Sequence, residues 1–238
     1  MLRNQPSYRS GVSQPLCRQA LAPVAVASIP KVSAIPVYTG SHAAFKFSIK
    51  RELERERQER VEECNRAMLG LMRQFNWLLN YQHQFLKPHR TNEARHLFLL
   101  PSQPLEFKAW TVNVPALAFL LQTDATELPF MLGLEDQRFH GAIAAINARS
   151  VVHQEFQRTL ATSSLDATKE QPLNAIEHAV GQRMTVTLAH ATDQIYELVD
   201  AVILSMAATG RNAKNVLNSI YPDAKIIGFS PPESVCKQ

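Results

Sequence analysis

The chain has 238 residues, enough for one large domain or two small ones with a buried core. Its 45% hydrophobic content excludes a wholly disordered chain, and 8 glycines are few for this length, as expected when long helices replace turns. The formal charge is +4, yet Arg3, Arg9, Arg18, Lys31, Lys46, Lys50 and Arg51 all precede the first acid, Glu52, so the opening carries +7 and the remainder −3. That distribution argues against nucleic acid as a partner of the body, whose basic residues are interleaved with acids.

Residues 1–45 read as an irregular leader. Up to Arg18 the segment is polar, with Ser7, Ser10 and Ser13 among arginines, a disordered composition. From Gln19 to Phe45 it carries one charge, Lys31, and is rich in Ala, Val and Ile, almost long enough for the ~20 apolar residues of a membrane span. Pro23, Pro30 and Pro36 interrupt it, and a central Lys costs about 2.5–3.5 kcal/mol on insertion. Three readings compete: a weak membrane anchor through residues 19–45, an organelle transit peptide, and plain disorder. Lys46, Lys50, Arg51, Arg55 and Arg57 follow at once, which would hold the body of an anchored chain in the cytoplasm.

Residues 46–222 read as a helical bundle that begins with a charged helical extension. Phe47 to Lys87 contains no Pro and one Gly, Gly70, and is rich in strong helix formers. Arg51 to Glu63 is a run of mixed charge with partial i, i+4 pairing, a solvated stalk. From Val61 a seam at alternating steps of three and four appears: Cys64, Met68, Leu71, Phe75, Leu78, Gln82 and Phe85, widened by Met72 and Leu79. Pro88 ends this helix.

Residues 88–114 form a connection punctuated by Pro88, Pro101 and Pro104, whose Phe98, Phe107 and Trp110 predict that it packs down, with an extended stretch near Phe107 to Val114. Pro115 opens a short helix to Leu121 that buries Leu117, Phe119, Leu120 and Leu121. A second long helix spans Phe130 to Leu160 with an inward stripe of Phe139, Ile143, Ile146, His153, Phe156 and Leu160. Gly133, Gly141, Ala142, Ala144 and Ala145 on it are small enough to admit a neighbouring helix. After a polar loop from Thr162 to Gln171, a third long helix runs from Pro172 to Ala208 with Gly210 as its cap, followed by a short helix from Arg211 to Ile220. Residues 223–238 form a C-terminal tail, an apolar patch from Ile226 to Phe229 and then a fraying end with Pro231 and Pro232. The expected fold is all-α: an antiparallel bundle of three long helices with short ancillary helices.

No chemical signature emerges from the sequence, so no catalytic, cofactor-binding or metal-ligating residue is assigned. Cys17, Cys64 and Cys236 stand at unrelated spacings, against a disulfide framework or zinc site and in favour of a reducing compartment. Glu93–His96 is the sole Glu-x-x-His, where a di-iron bundle needs two with further carboxylates. His83, His89, His96, His140, His153, His178 and His190 form no i, i+4 pair, and His153 falls on an apolar face as a core histidine. Glu135, Asp136, Arg138, Asn147 and Arg149 are the densest polar group; Glu135–Arg138 is an i, i+3 ion pair, and a half-buried Asn147 would fix register across the bundle. Phosphate-loop, dinucleotide, nucleophile-elbow and zincin motifs are missing from the sequence.

The blocks Leu128-Pro-Phe-Met-Leu-Gly-Leu-Glu135-Asp-Gln-Arg-Phe139, Ile146-Asn147-Ala-Arg149-Ser150 and Arg66-Ala-Met-Leu-Gly-Leu-Met-Arg-Gln-Phe75-Asn76 resemble a group of uncharacterised bacterial proteins. That resemblance implies an N-terminal membrane helix, a charged juxtamembrane helix and a cytoplasmic helical-bundle domain, with no established activity. The chain departs from it at Pro23, Pro30, Lys31 and Pro36. The expected function is a non-enzymatic helical interaction or scaffold protein, with an unidentified protein partner, at the bacterial inner membrane with a cytoplasmic body. The alternative is a soluble, self-associating helical module with a disordered leader, and more remotely an enzyme of unrecognised type.

Overall fold

A computed structural model describes residues 35–107, 110–165 and 169–230, with side chains from Ala44 onward. The chain divides into two units, Met1–Ser48 and Ile49–Gln238, and the packing described below is that of the second. All regular structure among the described residues is helical: α1 (Ile35–Tyr81), α2 (Arg95–Phe98), a 3-10 helix (Val114–Gln122), α3 (Leu128–Ala161), α4 (Leu173–Val180) and α5 (Gln182–Ile220). Among these residues no helix is long and apolar enough to cross a membrane. The expected span at 19–45 falls mostly outside them.

The seam of α1 is consumed by the main core. Cys64, Met68, Leu71, Phe75 and Leu78 are buried there, with Val61, Met72 and Leu79 packed against them. The stripe departs from expectation at its end: Leu86, not Phe85, is inside. A π turn over Gln82–Leu86 is the cause. Its i→i+5 bonding inserts one residue into the helical repeat and moves the inward position along by one. At the other end α1 begins at Ile35 rather than near Phe47, so the irregular leader does not extend to residue 45. Pro36 is the last proline before Pro88, and a first-turn proline is compatible with a helix because its missing N–H needs no partner.

Hydrogen bonds and ring contacts fix how the long helices run. Gln82 Nε2 donates to Asp200 Oδ1 at 2.6 Å and the Tyr196 hydroxyl to the Leu86 carbonyl at 2.8 Å, so α5 descends as the end of α1 ascends. On α3, Glu135 accepts from Thr209 at 3.1 Å, and Arg149 donates to Thr192 at 3.2 Å, again in opposite order. Gln74 meets Asp136 at 2.6 Å and Trp77 meets Phe139 with ring centroids 6.3 Å apart. The connection between α1 and α3 must therefore return the chain to the end where Gln74 and Asp136 lie.

Glycine decides the break in the last third of the chain, at a different glycine from the one expected. Gly210 is not a cap; it lies inside a continuous α5, and the break falls at Gly181, where φ is 86°. That backbone conformation is open to glycine and costly for any residue with a Cβ. Gly210 serves close approach instead: a Cβ there would meet the Phe229 ring at 2.5–2.8 Å. The tail up to Ser230 is accordingly a docked strap, and the apolar patch expected at Ile226 to Phe229 is what docks. Ile226 and Phe229 are buried, Phe229 meets Phe75 edge-on at 5.1 Å, and the Asn65 amide accepts from Ile227 N at 2.8 Å while donating to the Lys225 carbonyl at 3.0 Å.

The short helix after Pro115 is 3-10, which explains its burial. A three-residue repeat puts Leu117 and Leu120 inside, while Phe119 is half-buried and Leu121 is 46% exposed.

Candidate functional site

The polar residues of α3 act together to hold the backbone of the long connection. Asp136 Oδ1 accepts from Val112 N at 3.0 Å. Asn147 takes both groups of Leu105, accepting from its N–H and donating to its carbonyl, each at 3.0 Å. Ser150 Oγ accepts from Ser102 N at 3.1 Å, and Arg149 Nη2 donates to the His96 carbonyl at 2.8 Å. From Asp136 through Asn147 to Ser150 the partners fall from Val112 through Leu105 to Ser102, so this part of the connection lies antiparallel to the helix. A non-helical segment carries backbone groups that must find partners when partly buried. Side chains from α3 supply them, and no strand forms among the described residues. Asn147 thus pins the connection rather than setting register across the bundle.

Two buried charges sit on this helix. Glu135 is 2% exposed, and its Oε1 accepts from Arg138 at 2.7 Å, Ser205 at 2.6 Å and Thr209 at 3.1 Å. It is an ion pair extended into a polar bridge to α5, more than the helical i, i+3 contact read from the sequence.

Arg149 is the other, also 2% exposed. Its Nε donates to Thr192 Oγ1 and its Nη2 to the His96 carbonyl, while Nη1 has no hydrogen-bond partner among the described residues. Burial pushes this guanidinium down to about 10, opposed by Tyr81 and Tyr196, so it stays charged at neutral pH. His153, one helical turn further on, is 2% exposed with an unpartnered Nδ1. Burial, then the Arg149 charge, pushes it down to about 4, which makes it a neutral core histidine. His96 on α2 is also held below its ordinary value by burial, with Asp193 acting in the opposite direction.

This polar layer separates the main core from a smaller apolar cluster of Phe156, Val180 and Leu188. The sequence carried a signal for Arg149, since it follows Ile146 by three and precedes His153 by four, in phase with the inward stripe. Its charge masked that phase.

Outside the layer, α2 and α5 border a groove of about 430 Å³ lined by Arg90, Arg95, His96 and Asp193 with the backbone turn between them. Arg95 pairs with Asp193 at 2.8 Å and Arg90 with Asp200 at 2.8 Å. Both guanidiniums also lie over the Tyr196 ring, at 4.7 and 5.3 Å from its centroid.

The remaining sequence candidates are dispersed. Glu93 is exposed whereas His96 is buried, and among the described residues no three His, Cys, Asp or Glu side chains are grouped to hold a metal ion. His83, His178 and His190 are exposed; His89 stacks on Phe98, and His140 lies 3.8 Å from Asp136. Cys64 is 1% exposed and its thiol is pushed up to about 11 by burial and then by Glu63, which suppresses the thiolate a nucleophile requires. Cys17 and Cys236 lie outside the described residues.

A second surface stands on the opposite side of α3. Phe130, Leu134, Gln137, Gly141, Ala144, Ala148 and Val151 recur at steps of four and three and are all exposed. No charged residue interrupts this stripe. A Cβ at Gly141 would meet nothing within 4 Å, whereas one at Gly133 would meet Val114 at 3.0 Å, so only the inner of these two glycines is used within the chain.

No family model, curated protein or solved structure matches the chain.

Proposed function

We propose that this chain is a non-enzymatic helical interaction protein that assembles with a second copy of itself through the outer face of α3. Its frame is a bundle of three long helices, α1, α3 and α5, in which α5 opposes both others. The observation that carries the reading is the uncharged heptad stripe from Phe130 to Val151, about 30 Å long at 1.5 Å per residue.

The stripe is complementary to itself when reversed. Placing a two-fold axis at Gly141 sets Phe130 opposite Val151, Leu134 opposite Ala148 and Gln137 opposite Ala144. Two crossing helices approach most closely at the crossing point and diverge toward their ends, so small residues belong at the centre and large ones at the ends. That is the order found here, and an isologous interface requires such self-matching. Steps of three and four keep one face of a helix against its partner along the whole length. The seam of α1 is buried in the main core and is not available for assembly.

Sedimentation velocity over a concentration series on the full chain, compared with Ala144→Arg, tests this. Position 144 is exposed and arginine is a good helix former, so the fold is retained. The expected result is a concentration-dependent dimer that Ala144→Arg weakens at least about tenfold by opposing like charges near the axis. A strict monomer up to ~1 mM, where even 4 kcal/mol of association registers, refutes the reading. So does a dimer indifferent to the substitution.

A further inference from the structure

Of the arginines around Tyr196, the buried one has no carboxylate partner among the described residues. Three arginines converge there: Arg90 and Arg95 over the ring, and Arg149 close enough for Tyr196 to bear on its ionisation. Asp193 is held by Arg95, and Asp200 by Arg90 and Gln82, so neither answers Arg149; Glu93 borders the groove exposed to solvent, and Glu177 bears on His96. The ionisable groups that support the Arg149 charge are the tyrosines Tyr81 and Tyr196, neither of which is an anion at neutral pH. One carbonyl and one hydroxyl accept from it, and Nη1 is left over. A buried ion is costly unless a counter-ion answers it, and removing the counter-ion from such a pair is far worse than never having had the pair. His96 joins this cation to the surface: its carbonyl accepts from Arg149, it lines the groove, and its Nε2 is a second buried polar atom without a partner among the described residues.

We propose that the groove over His96 is the binding site of a small oxyanion, a phosphate- or carboxylate-bearing molecule, with His96 at its floor, Arg90 and Arg95 at its rim and Arg149 supplying the compensating charge from behind. The volume, about 430 Å³, is within the roughly 300–1,000 Å³ usual for small-molecule sites. The forks of Arg90 and Arg95 are held by Asp200 and Asp193, so the rim contributes their charge to an entering anion rather than free donors. Asp193 and Glu93, which also border the groove, oppose long polyanions and restrict the site to a single compact anionic group. The site lies away from the outer face of α3 and is independent of the assembly proposed above.

Calorimetric titration of the full chain with inorganic phosphate and, separately, with acetate tests this, at ionic strength matched with chloride. Saturable binding of phosphate is expected if the natural ligand bears a phosphate, and of acetate if it bears a carboxylate. Arg149→Met and His96→Leu are each expected to lose at least about tenfold in affinity for the anion that binds, the scale of one charge-assisted hydrogen bond. Arg149→Met is also expected to unfold no earlier than the parent in chloride alone, because an apolar side chain of similar volume replaces an uncompensated ion. His96→Leu keeps the proposal testable if Arg149→Met fails to fold. Absence of saturable binding by either anion overturns it, as does parental affinity in both variants.

Discussion

Gly210→Ala sets local propensity against tertiary packing, and the two predict opposite signs. Alanine inside a helix is more favourable than glycine by about 1 kcal/mol, so propensity alone makes the variant more stable. The new Cβ would stand 2.5, 2.6 and 2.8 Å from Cδ1, Cγ and Cε1 of Phe229, too close for any real contact. These are ring atoms near the root of the side chain, so the strap itself must lift. Phe229 is 4% exposed, and burying such a side chain is worth roughly 1.5–3 kcal/mol. Its edge contact with Phe75 at 5.1 Å adds about 0.5–1.5 kcal/mol. Subtracting the propensity gain leaves a net loss of about 1–3 kcal/mol, or several degrees in Tm for a protein of this size. Urea unfolding followed by circular dichroism measures it, with Phe229→Ala as the second arm of a double-mutant cycle. In that background the ring is gone, and Gly210→Ala should become stabilising by about 1 kcal/mol. A stabilising Gly210→Ala in the parent chain would show that Phe229 does not rest on α5.

Three further outcomes can be checked on the same footing. Gly181→Ala places a Cβ at φ 86° with nothing within 4 Å to clash, so its loss of about 1–3 kcal/mol in urea unfolding is pure backbone strain, and an unchanged midpoint would contradict it. His153 has a folded value of about 4 against an ordinary 6.5, so the unfolded chain binds its proton first as pH falls. The stability tied to its neutral form is complete above pH 6.5 and is lost between 6.5 and 4, by roughly 3 kcal/mol at about 1.36 kcal/mol per unit; His153→Asn should remove that step from the pH profile of the urea midpoint. Asn147→Ala strips both partners from the Leu105 backbone, costing about 1–3 kcal/mol for the half-buried groups left behind. Amide exchange at Leu105 should quicken in that variant before exchange in the α3 core does, and uniform acceleration across the protein would count against a local pin.

The polar residues of α3 show how structural and functional roles divide on one helix. Asp136, Asn147 and Ser150 each hold the backbone of the connection, and Asp136 and Ser150 have further partners in Gln74 and the Ile146 carbonyl. Arg149 does this with one nitrogen and retains a charge that the fold does not answer. That difference, rather than burial itself, is what the proposed anion site rests on.

The sequence by itself determined that the chain is helical and which face of α1 and α3 turns inward. Cys64 to Leu78 and Phe139 to Phe156 obey a period set by backbone geometry, and the burial of an apolar stripe follows from that period alone. Tertiary structure decided everything that depends on what a residue meets. Gly181 and Gly210 are alike in sequence; one takes a left-handed turn, and the other stays helical because a ring from the strap fills the space its missing Cβ leaves. The π turn at Gln82–Leu86 shifts the seam of α1 by one residue, where a strict heptad would have buried Phe85. Charge obscured the rest. Arg149 lies in phase with the buried stripe of α3, but an ion is excluded from a core by its desolvation cost unless partners are present. Those partners come from Thr192 and His96, distant segments that only folding brings to it.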